Sequence, residues 1–267
     1  MKNREQSLVI SSAMNNQELA PQTDNLTCPR CQLSHIKKNG HTYYGKQNYR
    51  CKSCGRQFVQ RREIVCADRQ QLICRLLLER ISLRGICRVL DISLCWLLNF
   101  MRPIYQSVPD DLFFRMPEDS EFELLCLEAD EMWSFVTRKT NKQWICLALE
   151  RQSGQIVAVH IGDRSEKSAA AALSGKLPPE IKANALILTD SWKAYALAIP
   201  AAQHTACGKR SGQTSFIEGF NCRLRQRVSR LVRKTTSFSK NKQNHQGAIK
   251  YFLSHTNLER QKIFFAT

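Results

Sequence analysis

The sequence has no apolar run that approaches the roughly 20 residues a membrane span requires. It also has no signal-peptide core: the first 25 residues are a polar mix rich in Asn, Gln and Ser, read as an unstructured leader over 1–25. Without a secretion signal, the 12 cysteines suit a reducing compartment rather than a disulfide framework. Acids are missing from two long stretches. Cys28 to Arg62 holds no Asp or Glu, and Thr205 to Lys242 holds Glu218 alone. A third stretch, Ser107 to Glu131, lacks bases apart from Arg115. The net charge is +17 and the isoelectric point about 9.6. A uniform excess would serve solubility or membrane adsorption, whereas basic blocks parted by an acidic one suggest separate surfaces for a polyanion such as DNA. The 267 residues leave room for one sizeable domain plus small modules.

Four of the cysteines are not placed as ordinary small core residues. Cys28-Pro-Arg-Cys31 and Cys51-Lys-Ser-Cys54 form C-x2-C-x19-C-x2-C. Two such thiolate knuckles complete a closed tetrahedron around Zn2+, a structural rather than a catalytic site. A module over 26–62 is too small for a large core, so the metal takes its place. Thr42 to Tyr44 and Gln47 to Arg50 read as short strands between the knuckles, and the surrounding Arg30, Lys37, Lys38, Lys46, Lys52 and Arg56 suit phosphate contact. A disulfide pair or a redox motif is the competing reading.

A second module is expected over 66–103. Asp68 to Glu79 reads as a helix with Leu72, Leu76 and Leu77 inward; Ser82 caps Leu83 to Leu90, and Ser93 caps Leu94 to Met101. Only Asp91-Ile92 separates the last two helices, as in a helix-turn-helix with the Ser93 helix in the reading position. Arg84, Arg88 and Trp96 are its candidate DNA contacts. A helical hairpin that merely packs is the plainer reading. Residues 104–123, with Pro103, Pro109 and Pro117 in or beside them, read as an acidic linker.

The large domain is expected over 124–255. Leu124 to Asp130, with Met132 to Thr137 continuing extended, Gln143 to Glu150 and Gln155 to Ile161 read as a three-strand meander. Arg164 to Lys176 reads as a helix, Ala185 to Thr189 as a buried strand, Ser191 to Ala196 as a helix start and Gln203 to Cys207 as a last strand, which makes an α/β pattern. Asp130 ends the first strand and Asp190 the fourth. If those strands are neighbours, both carboxylates emerge at one edge, where divalent cations would relieve their repulsion. Glu131 is the rival to Asp130, set aside because it should point to the opposite face.

Phe216 to Lys240 reads as one basic helix. Ile217, Phe220, Leu224, Val228 and Leu231 make its apolar stripe, and Glu218, Asn221 and Arg225 fall on a neighbouring one. Its ordinary reading is a solvated face whose Glu pairs with an Arg. The other is a metal-binding carboxylate on a helix that also grips phosphates.

These segments together resemble the transposases of the IS1 insertion-sequence family. The resemblance rests on CPRC…CKSCGRQF, SLRGICRVLDIS, DEMWSF from Asp130, LTDSWKAY around Asp190 and IEGFNCRLRQRVSRLVRKTTSFSK from Ile217, and covers Cys28 to about His255. It implies an RNase H-like catalytic domain and metal-dependent cleavage at element ends, with joining of the 3′ ends to target DNA. It implies Asp130, Asp190 and Glu218 as a catalytic triad holding two Mg2+ (or Mn2+), besides the structural Zn2+ of the thiolates. Asn221 and Arg225 would contact substrate phosphate, with Arg223, Arg227, Arg230, Arg233 and Lys234 along the same basic segment. It further implies a homo-oligomer on DNA, no membrane partner, and a cytoplasmic, nucleoid-associated location. A DNA-binding regulator with an inert catalytic domain and a nuclease acting on DNA or RNA hybrids are the alternatives; three separated acids in basic surroundings would bring a regulator nothing.

Overall fold

The computed structural model describes residues 26–43, 45, 47–59, 65–116, 125–162, 175–208, 211–232 and 236–265. The leader over 1–25, most of the helix expected over Arg164 to Lys176, and Arg233 and Lys234 lie outside them. The chain divides into two compact units, Met1–Ile64 and Val65–Thr267.

In the first unit, strands β1 (Ile36–His41), β2 (Gln47–Cys51) and β3 (Gln57–Val59) form an antiparallel sheet in the order β1-β2-β3. The first strand precedes the expected Thr42 to Tyr44 segment. Gly40, at φ +68, and a register shift between Lys38 and His41 let β1 pair up to the turn that Gly45 N–H closes on Thr42 O. β3 escaped the sequence reading because three residues carry no alternation signal.

The second unit opens with three helices: α1 (Ala67–Leu76), α2 (Leu83–Leu90) and α3 (Leu94–Gln106). Ser82 and Ser93 cap α2 and α3 by accepting from the backbone N–H of Gly85 and Trp96. Asp91, left-handed at φ 50, turns the chain between them. Ile73, Ile86, Leu90, Leu97, Met101 and Tyr105 form the core of the trio. Two expectations fail here. Leu72 is exposed and its neighbour Ile73 is fully buried, because an apolar run over 72–78 offers more than one helical face. α3 also runs through Pro103 to Gln106: the proline forfeits one backbone bond, but Tyr105 and Ile104 pack into the trio and hold the last turn. The following segment is not a bare linker either. Leu112 is fully buried, and its carbonyl accepts from Asn257 Nδ2 at 3.0 Å.

The rest is a mixed α/β domain. β4 (Cys126–Phe135), β5 (Lys142–Glu150) and β6 (Ile156–Gly162) make the meander; α4 (Pro179–Asn184), β7 (Leu186–Thr189), α5 (Lys193–Ala198), β8 (His204–Ala206), α6 (Ser215–Arg227) and α7 (Lys242–Phe264) follow. The strand order is β6-β5-β4-β7-β8, antiparallel on the meander side and parallel from β4 outward through β7 to β8. This is the RNase H-like arrangement. Alternate residues of β4 divide between two cores. Met132, with Ile145 and Leu147 of β5, packs under Phe220 and Leu224 of α6 and Phe252 of α7; Leu127 and Ala129 pack under Ile181 of α4 and Tyr195 of α5.

The basic helix expected over Phe216 to Lys240 is shorter. α6 stops at Arg227; Val228 leaves helical geometry, and a 3-10 turn spans Ser229–Leu231. Leu224, Val228 and Leu231 all reach the core, so their spacing served a helix followed by a turn as well as one helix. Beyond it, Ser239 bridges Val136 after β4. Arg230 is carried inward. Its guanidinium donates to Ser239 Oγ at 3.3 Å and meets the Tyr105 hydroxyl, which places it away from the DNA role expected of it.

Ser239 Oγ also meets Nδ1 of His245, 2.9 Å away and fully buried. Burial, and secondarily the Arg230 charge, push the His245 imidazole down to about 4. Between that value and the ordinary one near 6.5, the unfolded chain binds the extra proton, so stability rises with pH across this window. The contribution is present above about pH 6.5 and is lost as the pH falls toward 4, with a size on the order of 3 kcal/mol. Urea unfolding at pH 7 and pH 4.5 should show this loss, and His245→Gln should flatten that segment of the profile.

Candidate active site

Asp130 lies in the middle of a ten-residue strand, not at its end. What ends is its neighbour. β7 pairs with β4 only up to Thr189, opposite Ala129, and among the described residues β4 runs on to Phe135 with no strand paired to that edge. Asp190 follows Thr189 directly, and its Oδ1 accepts from Trp192 N–H at 3.0 Å, which fixes the carboxylate at the strand's end. Carboxylate oxygens of Asp130, Glu131 and Asp190 all lie within 4.8 Å of one another. Glu131 does leave β4 on the face opposite Asp130, where the Tyr195 hydroxyl donates to its Oε2 at 3.1 Å. Although it faces away, Glu131 still presents an oxygen within 4.8 Å of those of Asp130 and Asp190, beside the point where β7 stops.

Asp130 faces α6. Asn221 Nδ2 donates to its Oδ2 at 2.8 Å. Burial raises the Asp130 carboxyl above its ordinary range, the Asn221 bond opposes this, and the charges of Asp190 and Glu218 add to the rise. One N–H of the Asn221 amide so orients Asp130, and the second N–H of the same nitrogen is a further donor of the kind a phosphate accepts.

Glu218 is one turn before Asn221 on α6. Its Oε1 accepts from Thr214 Oγ1 at 3.0 Å, its side chain is exposed, and it stands outside the group of acids within 4.8 Å. It is near enough for its charge to act on Asp130. The start of its helix is fastened to β4 by Glu128, which is fully buried: Oε2 accepts from Ile217 N–H at 2.9 Å, and Oε1 lies 3.4 Å from Arg151 Nε.

The acid cluster suits a hard cation. Oxygen ligands at about 2.1 Å from Mg2+ lie roughly 3 to 4.2 Å apart in an octahedron, so a small inward movement of these carboxylates would enclose one ion. The Asn221 Oδ1, buried and with no hydrogen-bond partner among the described residues, adds a polar atom beside Asp130 that water on such an ion would satisfy.

Of the basic residues named from sequence, Arg84 and Arg88 are exposed one turn apart on α2, and Arg223 is exposed on α6 with its guanidinium over the Phe220 ring. Arg225 is half-buried. Arg227 pairs with Glu79. Trp96 is half-buried and stacks on Phe100, with centroids 5.0 Å apart, so the outward face of α3 is carried by Cys95, Asn99 and Arg102 instead.

In the first unit, Cys28, Cys31, Cys51 and Cys54 bring their sulfurs within 4.8 Å of one another, with Cys28–Cys54 and Cys31–Cys51 at 3.5 Å and all four thiols free. Zinc–sulfur bonds of about 2.3 Å set tetrahedral sulfurs about 3.8 Å apart, so the four fit one Zn2+. The Cys54 backbone N–H, against some desolvation, holds the Cys51 thiol below its ordinary value, which favours the thiolate that a metal needs. Cys51→Ser should lower zinc content from one ion per chain toward none and loosen the fold of this unit. Zinc analysis and limited proteolysis would read both; unchanged zinc would refute the four-thiolate site.

A profile of the family described as IS1 transposase matches residues 123–259. The protein InsB of insertion element IS1 4 from Escherichia coli (strain K12) is 29% identical over 159 residues, covering 60% of this chain and 91% of that protein. InsB of iso-IS1n from Shigella dysenteriae is 33% identical over 130 residues, covering 49% of this chain and 94% of that one. Among solved structures, the catalytic core domain of HTLV-2 integrase in complex with magnesium aligns at 15% identity and TM-score 0.32, over 49% of this chain and 82% of that one. A chain of the simian T-cell lymphotropic virus intasome with a PP2A B56 gamma subunit aligns at 14% identity and TM-score 0.36, over 62% of this chain and 63% of that one. No helix among the described residues is long and apolar enough to cross a membrane.

Proposed function

The chain belongs to the IS1 transposase family and is a DNA transposase of the DDE type; from that premise we propose that it cleaves the ends of its element and joins their 3′ ends to target DNA with Asp130, Asp190 and Glu218 as its catalytic acids. The observation that carries this is the meeting of Asp130 and Asp190 where β7 stops beside a continuing β4, with α6 laid across Asp130 through Asn221. Two Mg2+ ions, when bound, would supply an activated water or 3′-hydroxyl and charge for the leaving oxygen of an in-line displacement at phosphorus.

The protein's own part is placement. Asp130, oriented by Asn221, and Asp190, fixed by Trp192 N–H, supply oxygens from two adjacent strands. Glu218 joins them by leaving Thr214, at the cost of one hydrogen bond worth about 1 kcal/mol. Arg223 and Arg225 on the same helix would hold flanking phosphates, which locates the scissile bond relative to the acids. The thiolate module over 26–62 and the helix trio, with Arg84, Arg88, Asn99 and Arg102 outward, would recognise the element's ends, and pairing of two ends would bring at least two copies together on DNA. Its substrate would place it at the bacterial nucleoid.

The test is incubation with Mg2+ and an end-labelled duplex carrying the DNA that flanks the gene, beside an Asp130→Asn control. Nicks at the repeat boundary that leave 3′-hydroxyls, absent in the control, are expected. Specific binding without nicking would favour the regulator.

A further inference from the structure

The carboxylate of Glu131 is left without a task in the triad, yet the fold aims it with care. We propose that Glu131 is a working acid of the catalytic site: with Asp130 and Asp190 it forms a cation site before Glu218 is engaged, and Tyr195 is the residue that positions it. The proposal deepens the transposase reading and rests on it.

Three observations carry it. Glu131 presents an oxygen within 4.8 Å of those of both aspartates, while Glu218 is held by Thr214 outside that group. Tyr195 is 1% exposed, packed in the core beneath β4 and edge-on to Trp192 at 5.3 Å, and its hydroxyl donates to Glu131 Oε2. On the other side of the cluster stands the Asn221 oxygen, buried and without a partner among the described residues. Three acids drawn together repel one another, and a fold that fixes each with a separate donor (Asn221 to Asp130, Trp192 N–H to Asp190, Tyr195 to Glu131) is organised for a positive charge between them.

A division of labour follows. The first ion would be held by Asp130, Glu131 and Asp190 at the sheet edge, with Tyr195 of α5 positioning Glu131. Recruitment of Glu218 from α6 would come with DNA, so that loading of metal and competence for cleavage are separate events.

The experiment is Mn2+ binding to the full-length, zinc-loaded protein without DNA, followed by the free-ion paramagnetic signal. Wild type should bind Mn2+. Glu131→Gln should weaken the affinity by about a hundredfold, and Tyr195→Phe, which removes only the hydroxyl and keeps the buried ring, by about tenfold, as loss of an orienting partner usually does. Glu218→Gln should change it by less than about twofold, since that side chain is engaged elsewhere. Wild-type affinity in both Glu131→Gln and Tyr195→Phe, a Glu218→Gln loss as large as that of Glu131→Gln, or no binding by wild type would each overturn the proposal. Failure of the transposase reading is told apart by the nicking assay. Wild type that nicks while Glu131→Gln binds Mn2+ normally defeats only this inference; wild type that binds Mn2+ through Glu131 but never nicks defeats only the reading beneath it.

Discussion

Glu218→Gln is expected to leave binding to the element's ends within a few-fold of wild type while cutting strand cleavage by about a thousandfold or more, equivalent to about 4 kcal/mol of transition-state stabilisation. The side chain is exposed and touches only Thr214 among the hydrogen bonds described above, so the amide costs the fold little. Its removal matters when phosphorus is attacked: an amide oxygen is a neutral and far weaker ligand for a hard cation than a carboxylate. Gel-shift titration and a cleavage time course on the same preparation separate the two effects. Equal cleavage in both proteins would remove Glu218 from the catalytic acids and leave Asp130, Glu131 and Asp190 as the working set.

Glu128 should have the largest effect on stability. Burial pushes its carboxyl up, so the charged form is held at a cost that Ile217 N–H and Arg151 offset. The start of α6 adds its dipole to the attraction. Glu128→Ala deletes the acceptor, strands a buried backbone N–H and leaves Arg151, whose guanidinium also lies over Phe216, without its carboxylate. The expected loss is about 3 to 5 kcal/mol in denaturant unfolding, against about 1 to 3 kcal/mol for Glu128→Gln, which retains an oxygen for Ile217. Cleavage should fall in Glu128→Ala even under conditions where it remains folded, because Ile217 immediately precedes Glu218. A variant as stable as wild type would show that apolar packing of α6 alone sets its position.

Much of the architecture could be read from spacing. The meander strands alternate or run apolar between turn residues, the serine caps stand at the starts of α2 and α3, and the paired thiolate knuckles are a local pattern. Asp130 and Asp190 were legible for the same reason, as acids terminating or interrupting apolar runs. What could not be read depends on contacts between distant segments. Tyr195 looked like one more residue of a short helix, and its meaning lies in Glu131, 64 positions away. Glu128 looked like an interruption of a strand until Ile217, 89 positions on, was placed against it. The break of α6 at Val228 was hidden because its apolar residues suited either geometry. Strand parity placed Glu131 on the face opposite Asp130, as it is, but gave no sign that its carboxylate would still lie within 4.8 Å of those of Asp130 and Asp190 where β7 stops.

The long helix α7 has a consequence of another kind. Gly247 meets Tyr105 so closely that an added Cβ would come within 2.6 Å of the tyrosine side chain, Tyr251 donates to Cys74 O of α1, and Asn257, further along, bonds both Ile156 and Leu112. One rod thereby packs against both the helix trio and the sheet. If the trio reads the element's ends, it works as a ruler. The number of base pairs between the sequence it grips and the bond that is cut is set by the protein, and so is the helical phase. Five extra base pairs, about half a turn and roughly 17 Å of duplex, would present the wrong side of the DNA to the acids, however tightly the ends were held.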